Sequence, residues 1–188
     1  MHRRGFTLVE TMVAISLLTV AIVAPMLLTI QSLSSAYYSR DQITAFYLAQ
    51  EAIEEVHQIR DGQILQIAET ADSSSINIFG PIPLDRNFVI DARKSDPAQA
   101  ICECGNPACP LKPNGSCPYL QTDGTLYGYS SGWTDTTFTR TVRASFVGAN
   151  PDELRVQVTV SWQTGAYQER TFTISEDLYR WVQDGQGL

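Results

Sequence analysis

From Phe6 to Ile30 the chain is built almost entirely of Leu, Val, Ile, Ala and Met with small hydroxyl residues between them, and Glu10 is its one ionisable side chain. At ~1.5 Å rise per residue such a run is long enough to cross the ~30 Å hydrocarbon layer of a bilayer, so it predicts a membrane-spanning helix. Ser32-Leu33-Ser34-Ser35 is polar, but no glycine stops the helix there. A three-to-four spacing resumes at Ile43, Phe46, Gln50, Ile53 and Val56, while Arg40, Asp41, Glu51, Glu54 and Glu55 fall on the other face. The second half is therefore expected to be amphipathic, with its 43–56 stripe laid on a sheet and its carboxylates solvated. Arg60-Asp61-Gly62 is the expected end, with glycine as C-cap. Pro25 lacks an N–H and is expected to kink or loosen the helix.

After the helix the pattern changes period. Residues 63–86 carry breakers at Ser73-Ser74-Ser75 and Gly80-Pro81-Ile82-Pro83 and read as a linking loop. Asn87 to Arg93 alternates well enough for a first strand, closed by Pro97. Three stronger period-two runs follow, Thr136 to Val147, Leu154 to Trp162 and Tyr167 to Ile174, with turns expected at Asn150-Pro151-Asp152 and Thr164-Gly165-Ala166. One face of this antiparallel meander needs a cover, and the amphipathic helix is the natural one. The closing Leu178-Tyr179-Arg180-Trp181 is expected to pack its aromatics against the sheet edge. The expected class is α+β.

At 188 residues the chain has room for the membrane helix and one globular domain of roughly 120 residues. Its formal charge is −7, and no basic run follows Arg4. That balance argues against direct nucleic-acid binding, because phosphate contacts need clustered Lys and Arg. All four cysteines, Cys102, Cys104, Cys109 and Cys117, lie in a Pro- and Gly-rich segment spanning residues 98–133, which cannot build a core of its own. Cys102 and Cys104 are poorly placed to bridge each other, so disulfides would join them separately to Cys109 and Cys117. A four-thiolate zinc site and free thiols are the alternatives, and the cysteine spacing fits paired zinc knuckles poorly.

The residue types for catalysis are sparse. The sequence has no phosphate-cradling glycine motif, no HExxH and no recognisable Ser/His/Asp set. His57 sits beside glutamates on a helix, where a solvated or partly packed role is expected. Asp123-Gly124 and Asp135 are read as turn residues, with a calcium site as the alternative. No enzyme activity, metal or cofactor is expected.

The amino terminus carries a sharper signal. Arg3-Arg4 precede the apolar run, which is the charge bias of a cytoplasmic flank. A carboxylate one turn inside a membrane helix costs roughly 2.5 to 3.5 kcal/mol, so Glu10 needs a partner. Gly5 offers a peptidase a backbone without a side chain. Gly5-Phe6-Thr7-Leu8-Val9-Glu10 resembles the processing site of type IV prepilins and type II secretion pseudopilins. Leu48-Ala49-Gln50-Glu51, followed by Arg60-Asp61, resembles minor pilins of the pilus-modification type, although Ala52 stands where many relatives have glycine.

The resemblance implies a pilin fold with a leader peptide at 1–5, a transmembrane half-helix at 6–30, an amphipathic half at 31–62, and a globular head at 63–188 with the loop insertion 98–133. It implies cleavage after Gly5 by a prepilin peptidase, N-methylation of Phe6, and a role for Glu10 in assembly, where the charged amino terminus of Phe6 would be its partner. Removing residues 1–5 leaves 11 basic against 20 acidic residues, a charge of −9. The implied partners are other pilin or pseudopilin subunits, an inner-membrane assembly platform and membrane lipid. The implied location is the inner membrane with the head outside the cytoplasm, then a periplasmic or extracellular filament. The implied function is a structural, minor subunit of a pilus or secretion-like filament. A tip adhesin or substrate-binding pilin acting through the cysteine loop is the alternative.

Overall fold

A computed structural model describes Gly5 and residues 7–70, 74–106, 116–148, 150–163 and 169–185. By its contacts the chain divides into two units, Met1–Gln42 and Ile43–Leu188. Helix α1 spans Leu8–Thr70, with Pro25 inside it. Gly62 does not end it. A glycine inside a helix costs about 1 kcal/mol relative to alanine. Here Ile64 and Ile67, beyond it, pack against the core and hold the last turns in place.

The second unit is a helix-on-sheet layer. Strand β1 is Asn87–Ile90, a short helix α2 is Pro97–Ala100, and β2 is Ile101–Glu103. The long strands are β6 (Phe138–Val147), β7 (Asn150–Trp162) and β8 (Arg170–Tyr179). These five strands form an antiparallel sheet in the order β2-β1-β6-β7-β8. A second, three-stranded sheet, β4-β3-β5, is made from β3 (Gln121–Thr122), β4 (Tyr127–Gly128) and β5 (Thr134–Asp135). The α+β, pilin-like class expected from the sequence is the one observed.

Several local expectations are corrected. Pro97 does not simply close a strand; it opens α2, whose Ala98 N–H is capped by Asp96. The 98–133 segment is not a plain loop, because β2 joins the main sheet and Ala100 and Leu120 enter the main core. Val147 pairs with Asn150, so the β6–β7 turn lies at Gly148, where φ is 62°, rather than at Asn150-Pro151-Asp152. The Thr164-Gly165-Ala166 turn and the Tyr167 start of the last strand lie outside the described residues. Leu178 belongs to β8 and is buried, but Tyr179 is turned by strand alternation to the outer face, and Trp181, beyond the strand, is also exposed.

The helix presents a different face from the one its apolar pattern predicts. Ala45, Leu48, Ala49, Ala52, Val56 and Ile59 are buried, whereas Ile43 is 57% exposed and Phe46 39%. The buried stripe is rich in alanine, which lets the helix axis come close to the sheet. Close approach is what allows a side chain from the sheet to reach helix carbonyls.

Candidate functional site

Gly5 is exposed, and a Cβ placed there would meet nothing within 4 Å. Phe6 lies outside the described residues. Thr7 then opens α1: its hydroxyl accepts from the Glu10 N–H at 3.3 Å, and its carbonyl from the Thr11 N–H at 3.2 Å. Thr7-Leu8-Val9-Glu10 has the residue spacing of a capping box, and Glu10 stands in the first turn, where the helix dipole favours a negative charge. The sequence carried that capping signal in the same residues as the processing motif.

The helix beyond suits a hydrocarbon environment. α1 contains an 18-residue window of mean hydropathy 2.5, none of it buried within the chain. Its hydroxyl side chains are satisfied locally: Thr11 donates to Leu8 O, Ser16 to Val13 O, Thr19 to Ser16 O and Thr29 to Pro25 O, each at 2.8 to 2.9 Å. In lipid this matters, since an unpaired hydroxyl has no water to turn to. Length and composition therefore fit membrane anchoring.

The head is held by a buried charge cluster that the sequence reading missed. Arg140, in β6, is fully buried on the face that meets the helix. Its guanidinium donates to Leu48 O at 3.0 Å, to Glu51 Oε2 at 2.5 Å and to Ile90 O at 2.8 Å, so one side chain ties helix, central strand and β1 together. The signal was available: Arg140 lies in the inward register with Phe138 and Val142, where a strand facing a core should be apolar. Glu51 and Glu55, expected on the solvated face, are turned toward this cluster, whereas Glu54 stays exposed. Burial, with a contribution from Glu51, pushes the Glu55 carboxyl above its ordinary pKa, and Arg140 opposes the shift. The partly buried Tyr129 has its hydroxyl enclosed beside the same charges, and its pKa is pushed up to about 12, chiefly by burial.

A second buried carboxylate anchors the smaller sheet. Asp91 receives Arg93 at 2.8 and 2.6 Å in a fork, and the Tyr129 N–H at 3.3 Å. Arg93 also stacks over Trp133, 4.1 Å from the ring centroid. A Cβ at Gly128 would run into that guanidinium, so the close approach requires glycine. At the far end of the chain, Asp184 accepts from the Ile78 N–H at 2.9 Å and pairs with Arg180.

Cys104 and Cys117 form a disulfide, one of the pairings the spacing left open, with Cα atoms 4.9 Å apart. Cys102 is also disulfide-bonded, and Cys109 lies outside the described residues. Sulfurs bonded in this way are not thiolates, so Cys104 and Cys117 cannot ligate zinc in this state. The two loop aspartates accept from different groups. Asp123 accepts from the N–H groups of Thr125 and Leu126 and from the Thr125 hydroxyl, which pulls its carboxyl below the ordinary range, while Asp135 accepts from Gln121. Among the described residues no group of three or more His, Cys, Asp or Glu could hold a metal ion. His57 Nε2 lies 3.1 Å from Glu176 Oε1 at the helix–sheet margin.

Neither a curated protein nor a solved structure matches the chain. Residues 1–24 match the family described as the prokaryotic N-terminal methylation motif. The chain thus carries at its amino terminus the prepilin-type signature of pilins and pseudopilins, on a fold that pairs a long apolar-led helix with an antiparallel sheet.

Proposed function

We propose that this protein is a structural subunit, of the minor class, in a type IV pilus or type II secretion-like filament, made as a prepilin and processed between Gly5 and Phe6. The observation that carries this is the methylation motif over residues 1–24 running into a helix whose apolar window has no cover within the chain. Such a surface is stable in lipid and can be transferred only to another apolar surface, such as the matching helices of a filament. The domain plan of leader 1–5, spanning half 6–30, amphipathic half 31–62 and head 63–188 follows this reading, with the head outside the cytoplasm, where disulfides persist. A prepilin peptidase, other pilin subunits, an inner-membrane assembly platform and lipid are its partners. It is not an enzyme on this reading.

The test is processing. Mass spectrometry of the membrane form should show N-methylated Phe6 as the first residue, and Gly5→Val should block the cut. A mature chain that still begins at Met1 would overturn the proposal.

One observation favours a second reading beside the first, a head that makes contacts beyond the filament. The disulfide between Cys104 and Cys117 fixes one wall of a large recess on the outer face of the five-stranded sheet.

A further inference from the structure

The recess measures about 950 Å³ and lies outside the Arg140 and Asp91 clusters. Its floor is Thr139 and Thr141 of β6 and Ser161 of β7, side chains that alternate away from the core residues Phe138, Val142, Val160 and Trp162. Strand register places Thr139 opposite Ser161 and Thr141 opposite Thr159, so hydroxyls stand in adjacent rows about 5 Å apart. Asn106 and Ser116, beside the disulfide, form one wall, and Glu169, ahead of β8, lies on the other. The cations on the rim are paired: Arg86 bonds Glu103 at 2.8 Å, and Arg143 lies 3.9 Å from Asp85. A smaller recess of about 410 Å³ shares Thr139, Ser161 and Glu169 and adds Tyr119, which is 42% exposed.

This lining discriminates between ligand classes. A phosphate or an anionic polymer would look for unpaired Arg or Lys, and here both arginines are neutralised by carboxylates. An extended peptide adds to a free strand edge, but the floor is a sheet face whose backbone groups are already paired. An apolar ligand would require a mostly apolar pocket. What remains is a ligand with many hydroxyls that both donate and accept, and with an apolar C–H face that can lie on an aromatic ring.

We propose that this recess and the smaller one that shares its floor bind a neutral oligosaccharide, with Thr141, Ser161 and Glu169 bonding sugar hydroxyls and Tyr119 carrying a sugar ring. The inference rests on the second reading above, in which the head makes contacts beyond the filament. The site needs little ordering on binding, because its floor is two hydrogen-bonded strands, β6 and β7, and one wall is closed by a disulfide.

The test uses the full chain in a zwitterionic detergent without a sugar head group. It is titrated with maltohexaose, cellohexaose and chitohexaose, and with a sialylated oligosaccharide and an extended peptide as comparators, by calorimetry and saturation-transfer NMR. The expected result is binding of a neutral hexaose that Thr141→Val and Ser161→Ala each weaken about fivefold, the equivalent of one lost hydrogen bond. Ser175→Ala, on the same sheet face outside the recess, should leave affinity unchanged, and unchanged circular dichroism should show that every variant folds. The proposal is overturned if no neutral hexaose binds, if the sialylated sugar or the peptide binds in its place, or if the recess variants bind as wild type does. A chain processed after Gly5 that binds no sugar overturns this inference alone, whereas an unprocessed chain overturns the filament reading and leaves sugar binding measurable.

Discussion

Replacing Arg140 by methionine tests whether the head is held by charge or only by apolar packing. The variant keeps a flexible apolar stem of similar length and deletes the guanidinium, with its bonds to Leu48 O, Ile90 O and Glu51. Two effects oppose each other. Removing a buried cation relieves its desolvation, which favours the variant, but it also leaves the inward-facing carboxylates without their neutralising partner. Glu51 can swing toward water, since its side chain is 38% exposed; Glu55 is only 6% exposed and cannot. Breaking one side of a buried pair costs ~3 to 5 kcal/mol, and the escape open to Glu51 places this case near the lower end, at about 3 kcal/mol. For a unit of this size that corresponds to a melting temperature lower by roughly 9 °C. The assay is thermal and urea unfolding of the full chain in detergent, followed by tryptophan fluorescence, with a double-mutant cycle against Glu55→Gln. Because Arg140 favours the charged form of Glu55, the effects of the two substitutions should not add, and a coupling of about 1 kcal/mol is expected. A loss below about 1 kcal/mol, or strict additivity, would refute the clamp, since apolar packing alone would then hold helix to sheet.

The remaining expectations concern pH, the disulfide and the intramembrane carboxylate. Because the folded state raises the Glu55 pKa, it binds more protons than the unfolded chain, so this residue's contribution to stability is lost as pH rises from about 4.5 through the folded pKa. Glu55→Gln should therefore gain stability relative to wild type at pH 7 but not at pH 4, and an equal difference at both pH values would remove Glu55 as the cause. The Cys104→Ser/Cys117→Ser double variant should lose up to about 3 kcal/mol, the loop-closure value for a bridge separated by 13 residues. Proteolysis should then cut first within residues 98–133 while β6, β7 and β8 stay protected; cleavage elsewhere first would show that the bridge staples the main core. Glu10→Ala should still insert and fold its head, yet be recovered from sheared filaments at well below the wild-type level. Equal recovery would show that Glu10 needs no partner in assembly.

The parts of this molecule that were legible in advance are those whose cause is local. The run from Phe6 to Ile30 is apolar without regard to anything distant, and the alternation in Phe138–Val147 and Asn150–Trp162 follows from the two-residue period of a strand. The methylation motif is a contiguous stretch of the same kind. Helix length was harder to read, because the penalty at Gly62 is local while the packing of Ile64 and Ile67 that offsets it is not.

The sequence by itself determined a lipid-compatible helix, a processing motif ahead of it and an antiparallel sheet behind it. The tertiary structure decided which face of the helix is buried, that Glu51 and Glu55 point inward, and that the cysteine segment supplies an edge strand and a recess wall. Arg140 shows the physical reason. Its partners lie 92, 89 and 50 residues away, and a buried cation is tolerated only where acceptors from several elements converge on it at once. No window of local pattern contains that condition, since it is met only when the helix, β1 and β6 have already come together.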